Sequence, residues 1–319
     1  MVRFMHFSDT HIGNRQYNMQ EREQDFMDSF SEAVSIGLNE KVDFFVHSGD
    51  LFDVWNPSNR SLTFLRDSML ELKERGINVY MVLGDHDRPK RVDYPAAEIF
   101  DFLGITVLGK DGFQGMDLEI NGEPLFLGGV SNMKGIRRDM LPDEYKKASS
   151  AAEGKKNSVL ISHQGVTGFG LKDEACEIRK EEIPGNFSYL AFGHIHESGT
   201  STVGESLFSY AGSSEICSTN EIPSFLKNGK SVNLVSIPDS TFLDSTRSPV
   251  TLARLSDRPC FCSVISFRDS LMGSIFLTDS FRTAFSFSSS FTSSPTVLEL
   301  LVSLSIPMVS IIRFPFISR

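Results

Sequence analysis

Five short apolar segments of the sequence each end in residues that can bind a metal ion. The segments alternate with longer stretches in which apolar residues recur at helical spacing, which is the pattern of an α/β fold. The strands predicted from these segments are Val2–Phe7, Asp43–His47, Ile77–Leu83, Ser158–Ile161 and Tyr189–Phe192. We therefore predict an α/β protein built as a two-sheet sandwich flanked by helices.

Apolar stripes and a turn signal predict further elements. One helix is predicted from the stripe Phe26, Phe30, Ala33, Val34 and Gly37, and a second from Leu62, Leu65, Met69 and Leu72. Both stripes are interpreted as core. Asn121-Gly122 predicts a tight hairpin, and Thr200–Tyr210 and Ser231–Val235 are predicted as later strands.

Composition changes near residue 235. The last 84 residues contain 20 Ser and 10 Phe but no Lys, Asn, Gln, His, Tyr or Trp. Apart from Trp, these missing residue types have codons with adenine in the middle position. We interpret residues 236–319 as an out-of-frame tail, the alternative being a natural low-complexity segment. The predicted domains are a catalytic domain over residues 1–235 and this tail.

Composition also bears on location and partners. Four cysteines without a C-x-x-C pair favour a reducing compartment, and no leader precedes the first strand, so a cytoplasmic protein is expected. The apolar run Thr296–Ile317 contains Glu299, Pro307 and Arg313, so we predict no transmembrane helix there. A net charge of -10 offers no global attraction for a polyanion.

The residues that follow the five predicted strands include five of the seven histidines. Because strand carboxyl ends fix groups at one edge of a sheet, these residues are expected to meet. In chain order they are Ser8-Asp9-Thr10-His11, Gly49-Asp50-Leu51-Phe52-Asp53, Gly84-Asp85-His86-Asp87, Ser162-His163-Gln164-Gly165 and Gly193-His194-Ile195-His196. The glycines are expected to give the turns freedom and to let a cation or phosphate approach.

Seven of these side chains are candidate metal ligands. Asp9 and His11 alternate along what is expected to be an extended segment, so both are expected to point the same way, as are His194 and His196. Imidazole and carboxylate without thiolate suit manganese, iron or zinc. Seven ligands suit two ions that share a carboxylate, for which we choose Asp50, and this predicts two-metal phosphoester hydrolysis. The seven are Asp9, His11, Asp50, Asp85, His163, His194 and His196.

Four other polar residues have simpler interpretations. His6 and His47 lie inside apolar runs and are predicted to be core residues. Asp53 and Asp87 are either loop caps or partners that orient the ligand imidazoles.

The ordered motifs D-x-H, G-D-x-x-D, G-[ND]-H-[DE], H and G-H-x-H resemble those of the calcineurin-like metallophosphoesterases. Within that family, Phe7–Gly13, Gly49–Phe52 and Ser162–Gly165 are similar to the meiotic-recombination-eleven-type nuclease, called SbcD in bacteria. The resemblance covers about residues 1–235. It implies a manganese-dependent 3′–5′ exonuclease and single-strand endonuclease of DNA double-strand-break repair. It also implies a homodimer that works with an ABC-type coiled-coil ATPase of the radiation-sensitive-fifty or SbcC type.

The same resemblance implies roles for individual residues. One metal is expected at Asp9, His11, Asp50 and His196, and the other at Asp50, Asp85, His163 and His194. His86 is expected to be the general acid that protonates the leaving oxygen.

The chain departs from the family in three places. Asp85 stands where the family usually has asparagine, and Asp53 stands where many relatives carry a histidine involved in substrate handling. The Ser/Phe-rich tail occupies the place of the DNA-binding cap and the partner-docking segment.

Basic residues near the motifs are candidate phosphate contacts, or else part of a solvated charged face. They are Arg88, Lys90, Arg91, Lys134, Arg137 and Arg138. Two other functions remain open from the residues. One is a phosphodiesterase or phosphomonoesterase acting on small nucleotides with the same two-metal site, and the other is a non-catalytic scaffold that binds DNA ends.

Overall fold

The computed structural model describes residues 1–89, 94–169 and 175–238 and three further strand segments, 251–255, 263–266 and 274–276. Its helices are α1 (Gln20–Asn39), α2 (Asn59–Glu74), α3 (Leu141–Ala151) and α4 (Ile222–Asn228). Its strands are β1 (Val2–Phe7), β2 (Phe44–His47), β3 (Asn78–Met81), β4 (Ile105–Val107), β5 (Gln114–Ile120), β6 (Glu123–Val130), β7 (Ser158–His163), β8 (Tyr189–Gly193), β9 (Gly199–Val203), β10 (Ser206–Tyr210), β11 (Val232–Ile237), β12 (Thr251–Leu255), β13 (Ser263–Ser266) and β14 (Ser274–Phe276).

The strands form two sheets, as predicted. The first has the order β14-β13-β12-β11-β1-β2-β3-β4, in which β1 to β4 are parallel and β11 is antiparallel to β1. The second has the order β5-β6-β7-β8-β10-β9, with β6, β7, β8 and β10 parallel. The parallel strands of each sheet thus end together at one edge.

Residues alternate between the two faces of β1. Val2 and Phe4 belong to the apolar layer that also contains Tyr189 of the second sheet, whereas Met5 and Phe7 pack in the cluster that contains residues of α1 and α2. Successive residues of a strand point to opposite faces of the sheet. Both faces of β1 are covered by other elements, so the side chains on both faces are apolar. On the second sheet, Leu141, Tyr145 and Ala148 of α3 belong to a third apolar cluster.

Local signals explain where elements begin and turn. Ser58 caps α2 by accepting a hydrogen bond from the Ser61 amide at 3.1 Å. Asn121 and Gly122 connect β5 and β6 with φ values of 54° and 78°, the positive pair that a tight hairpin turn requires. The predicted hairpin is therefore confirmed.

Strand boundaries differ from the prediction mainly at two places. β3 is shorter than Ile77–Leu83, and β7 extends two residues beyond Ile161 because His163 pairs with Gly193 of β8. His163 thus lies at the end of its strand and not after it. The predicted boundary near residue 235 falls within β11, which pairs with β12 along its length.

Apart from residues 236–238 and the strands β12, β13 and β14, the Ser/Phe-rich tail lies outside the described residues, and this includes Thr296–Ile317. Lys90 and Arg91 also lie outside them. In the part of the chain that is described, none of the helices combines the length and apolar character needed to span a bilayer.

Candidate metal centre

The seven candidate ligands come together at the edge where the parallel strands end. Asp9 and His11 follow β1, Asp50 follows β2, and Asp85 follows β3. His163 ends β7, and His194 and His196 follow β8. Both sheets therefore contribute side chains to one group.

Four of the seven candidate ligands have a strained backbone. The φ values are 51° at Asp9, 42° at His11, 54° at Asp50 and 90° at His194. Such values cost residues other than glycine about 1–3 kcal/mol each and cluster at functional sites. The prediction that Asp9 and His11 lie in an extended segment is wrong, because both have a left-handed backbone. Thr10 between them instead directs its hydroxyl to His47 and to the Leu51 carbonyl.

The first half of the group surrounds His11. Its Nε2 atom lies 3.3 Å from Nε2 of His196 and 3.9 Å from Oδ2 of Asp50. Nε2 of His196 lies 3.9 Å from Oδ1 of Asp9. Ligand atoms of Asp9, His11 and Asp50 all fall within 4.8 Å of one another.

The second half of the group surrounds Asp85. Its Oδ1 atom lies 3.3 Å from Nδ1 of His194 and 3.5 Å from Nε2 of His163. Oδ2 of Asp50 lies 3.4 Å from Nε2 of His163. The same Asp50 oxygen therefore faces imidazoles of both halves, which is the geometry expected of a shared carboxylate.

Buried polar atoms indicate that cations fit this group. Among the described residues, Nδ1 of His11, Oδ1 of Asp85 and Nε2 of His163 are buried without a hydrogen-bond partner. Buried polar atoms are rarely left in this state, because an unsatisfied group costs about 1–3 kcal/mol. Nδ1 of His163 donates to the Ser48 carbonyl at 2.7 Å, which turns Nε2 toward the two carboxylates.

The two carboxylates are held in the ionised form that a cation needs. Burial raises the pKa of Asp50, but the electrostatic contact with His163 at 3.4 Å outweighs burial, so the pKa lies well below its usual range. Burial also raises the pKa of Asp85, but its contacts with His163, His194 and Lys134 outweigh burial and lower the pKa below its usual range.

Two glycines leave room for the candidate ligands. A Cβ atom on Gly84 would lie 1.9 Å from Oδ1 of Asp50, and one on Gly193 would lie 2.2 Å from the Ser48 carbonyl oxygen and 2.9 Å from Nδ1 of His163. Of Gly49, Gly84 and Gly193, only Gly49 has a positive φ, 97°. The space at Gly84 therefore accommodates Asp50, and the space at Gly193 accommodates the Ser48 carbonyl and His163.

Asp87 is a loop cap. Its buried carboxylate accepts hydrogen bonds from the backbone amides of Leu51 at 3.2 Å, Phe52 at 3.1 Å and Gly84 at 3.0 Å. It thereby ties the loop that carries Asp50 to the loop after β3. Burial, followed by the charge of Asp50, raises the pKa of Asp87 to about 6.

His86 lies beside the first half of the group. Its ring centroid is 4.9 Å from that of His11, and its Nδ1 donates to the Asp53 carbonyl at 2.6 Å. Burial lowers the pKa of His86, but Asp50, the Asp53 carbonyl, Asp85 and the Asp53 carboxylate together raise it. Oδ1 of Asp53 also lies 3.5 Å from Nδ1 of His11, so Asp53 is a partner of two imidazoles.

The other two histidines are core residues, as predicted. His6 is fully buried and its nitrogens pair with the Tyr189 hydroxyl at 2.8 Å and the Ser48 hydroxyl at 2.9 Å. His47 pairs with Thr10 at 3.0 Å. Burial lowers the pKa of each to about 3, so both are neutral.

Three further residues at the centre were not predicted. Oε1 of Glu221 lies 3.0 Å from Nδ1 of His196, and Oε2 of Glu177 lies 3.9 Å from Nε2 of His194. Cys217 forms a group of potential ligands with His11 and His196, all within 4.8 Å. None of the three follows a predicted strand directly, and only folding of the later loops brings them to the site.

The described candidate phosphate contacts already have protein partners. Lys134 pairs with Asp85 at 2.9 Å, and Arg137 pairs with Asp111 at 2.8 Å. Arg138 donates to the Glu177 carbonyl at 3.2 Å, and Arg88 donates to the Lys110 carbonyl. Of these four, only Lys134 contacts a candidate ligand directly, where it offsets the charge of Asp85.

Curated proteins with similar sequences are known. The DNA double-strand break repair protein Mre11 of Thermoplasma acidophilum is 48% identical over 233 residues, which cover 73% of this chain and 61% of the relative. The protein of the same name from Methanocaldococcus jannaschii is 35% identical, covering 73% of this chain and 62% of the relative. The chain thus spans about three fifths of the length of these curated relatives.

A solved structure and a family model complete the comparison. A dimetal phosphatase from Danio rerio is 12% identical with a TM-score of 0.46, covering 83% of this chain and 95% of that one. Residues 2–198 match the family model described as calcineurin-like phosphoesterase, a family that implies a dinuclear site for divalent metals. The chain therefore belongs to the calcineurin-like phosphoesterase family.

Proposed function

We propose that the chain is a metal-dependent DNA nuclease of double-strand-break repair, with 3′–5′ exonuclease and single-strand endonuclease activity. The observation that carries this proposal is the position of Asp50, whose Oδ2 atom faces His163 at 3.4 Å and His11 at 3.9 Å. The relatives named as DNA double-strand break repair proteins support DNA as the substrate.

In the proposed centre Asp50 would help to hold both of two divalent ions. Asp9, His11 and His196 complete one half, and Asp85, His163 and His194 complete the other. The mixed set of imidazoles and carboxylates favours manganese. When bound, the pair of ions would activate a water molecule and neutralise the phosphoryl oxygens.

The chain's own residues then supply positioning and a proton. In the proposed mechanism His86 gives a proton to the leaving oxygen from Nε2, because its Nδ1 is engaged by the Asp53 carbonyl at 2.6 Å. This hydrogen bond fixes the ring orientation. Lys134 balances the charge of Asp85 beside the phosphate position.

The proposal extends to domains, partners and location. We assign catalysis to residues 1–235 and treat residues 236–319 as the out-of-frame tail. DNA, a second copy of the chain and an ABC-type coiled-coil ATPase are the proposed partners. A cytoplasmic location is proposed from the four cysteines without a C-x-x-C pair, a composition typical of reducing compartments.

The full chain should be tested with manganese, magnesium and zinc on single- and double-stranded DNA and on a chromogenic phosphodiester. We expect manganese-dependent cleavage of DNA, and DNA binding that weakens as salt rises. Cleavage of the small diester alone, with a flat salt response, would favour a small-nucleotide esterase. Metal binding without any cleavage would favour a scaffold.

A matched pair of variants separates catalysis from metal binding. His86→Ala should abolish most cleavage while manganese binding persists, because the side chain of His86 is exposed beside the site and is not one of the seven candidate ligands. The control Lys73→Ala changes an exposed residue in the last turn of α2, whose ammonium group donates to the Phe102 carbonyl, and should leave cleavage unchanged. Full activity in His86→Ala would remove the general-acid role.

A further inference from the structure

The group formed by His11, His196 and Cys217 differs in chemistry from the rest of the centre. The seven candidate ligands are imidazoles and carboxylates, whereas Cys217 offers sulfur within 4.8 Å of ligand atoms of both histidines. His11 and His196 are also members of the carboxylate-rich half, and their Nε2 atoms are 3.3 Å apart. The imidazoles of His11 and His196 therefore belong to two alternative ligand sets, one completed by carboxylates and the other by the thiol of Cys217.

The backbone around Cys217 is fixed from several sides. The Cys217 carbonyl accepts a hydrogen bond from the Gln16 side chain at 2.7 Å, and its amide donates to Oε2 of Glu221 at 3.4 Å. The preceding Ile216 carbonyl accepts from Arg22 at 2.9 Å. These contacts hold the loop against the start of α1.

The histidines facing this thiol are equally constrained. The side chain of His11 is only 4% exposed, and its Nδ1 atom lies 3.5 Å from Oδ1 of Asp53. Nδ1 of His196 is held by Glu221 at 3.0 Å, which leaves Nε2 of His196 facing His11. Two oriented imidazoles and one held thiol are thus gathered around one space.

We propose that Cys217 joins His11 and His196 in binding a thiophilic divalent cation such as zinc, in competition with manganese at this half of the centre. Two imidazoles and one thiolate form a ligand set that suits zinc, while thiolate adds little to the binding of manganese. The thiol loses its proton to solvent when the ion binds.

The position of Cys217 also predicts how a bound zinc ion affects manganese binding and activity. An ion drawn toward the sulfur uses both imidazoles that the first half of the dinuclear centre needs. Zinc at this position therefore excludes manganese there and inhibits the chain. This inference rests on the proposed dinuclear site but not on DNA as the substrate.

Cobalt is the direct probe, because cobalt bound to a thiolate gives a near-ultraviolet charge-transfer absorption that cobalt bound only to nitrogen and oxygen lacks. The full chain should show this band together with visible cobalt absorption. Cys217→Ser, which keeps a hydroxyl in place of the thiol, should lose the band and keep the visible absorption. The control Cys176→Ala removes a cysteine outside the ligand groups found among the described residues, and it should keep both.

Zinc and manganese titrations of the same proteins complete the test. Cys217→Ser should weaken zinc binding by about 10-fold or more and leave manganese binding unchanged. A charge-transfer band that persists in Cys217→Ser, or visible absorption without that band in the unaltered chain, would overturn this inference alone. An unaltered chain that binds no cobalt would overturn the dinuclear site as well.

Discussion

Replacing Asp87 by alanine should destabilise the fold and weaken metal binding together. The Asp87 carboxylate accepts hydrogen bonds from the buried amides of Leu51, Phe52 and Gly84. Each amide left without a partner costs about 1–3 kcal/mol. Three such groups give an upper range of about 3–9 kcal/mol, and a water molecule that enters the vacated space recovers part of it. We therefore expect a loss of about 3 kcal/mol in the free energy of unfolding.

An asparagine at the same position should give an intermediate result. Its single carbonyl oxygen can replace Oδ2, which accepts from both Leu51 and Gly84, but its amide group then faces the Phe52 N–H. One buried donor is left unsatisfied, so Asp87→Asn should lose about 1–3 kcal/mol. Both variants should also weaken manganese binding, because Asp50 directly precedes the Leu51 amide that Asp87 holds.

Urea unfolding of the metal-free full chain measures the first effect, and calorimetric manganese titration measures the second. Asp67→Ala is the control, since this aspartate on α2 has a side chain that is 60% exposed and should change stability by less than about 0.5 kcal/mol. The reasoning is refuted if Asp87→Ala unfolds at the same urea concentration as this control.

Three further predictions concern single residues around the site. Asp85→Asn should keep metal-dependent hydrolysis and bind metal more weakly, because an amide still ligates while the negative charge is lost; complete inactivity would show that Asp85 has another role. The folded-state pKa of His6 is about 3, below its value of about 6.5 in an unfolded chain, so between these values the unfolded chain binds the extra proton. The stability due to His6 is thus fully present above pH 6.5 and falls with acidification by up to about 1.4 kcal/mol per pH unit. In the metal-free His6→Asn variant the free energy of unfolding should therefore depend less on pH between pH 6.5 and 5 than it does in the unaltered chain. Equal slopes for the two proteins would contradict this. Gly193→Ala should lose about 1–3 kcal/mol in urea unfolding and displace His163, since the new Cβ would overlap the Ser48 carbonyl; unchanged stability and manganese binding would refute this steric argument.

The proximity of the seven candidate ligands could be predicted because their signal is local. Each follows or ends a short apolar strand, and parallel strands bring such positions to one edge whatever the details of the loops. The backbone at Asp9 and His11 could not be predicted, since a left-handed φ in residues other than glycine depends on tertiary contacts such as those of Thr10.

Parts of the fold were missed for different reasons. β4 has only three residues, Ile105–Val107, and is too short for a periodic signal. The helix α3 carries a readable pattern, because Leu141, Tyr145 and Ala148 recur at helical spacing and Pro142 lies in its first turn. Cys217 and Glu221 follow no motif, so no local pattern could have assigned them to the centre.

The most direct test of the dinuclear centre is anomalous diffraction at the manganese edge from crystals of the full chain grown with manganese. We predict two peaks about 3.5–4 Å apart with Asp50 in contact with both. His11 and His196 should contact one peak, and His163 and His194 the other. A single peak, or two peaks that Asp50 does not join, would contradict the account.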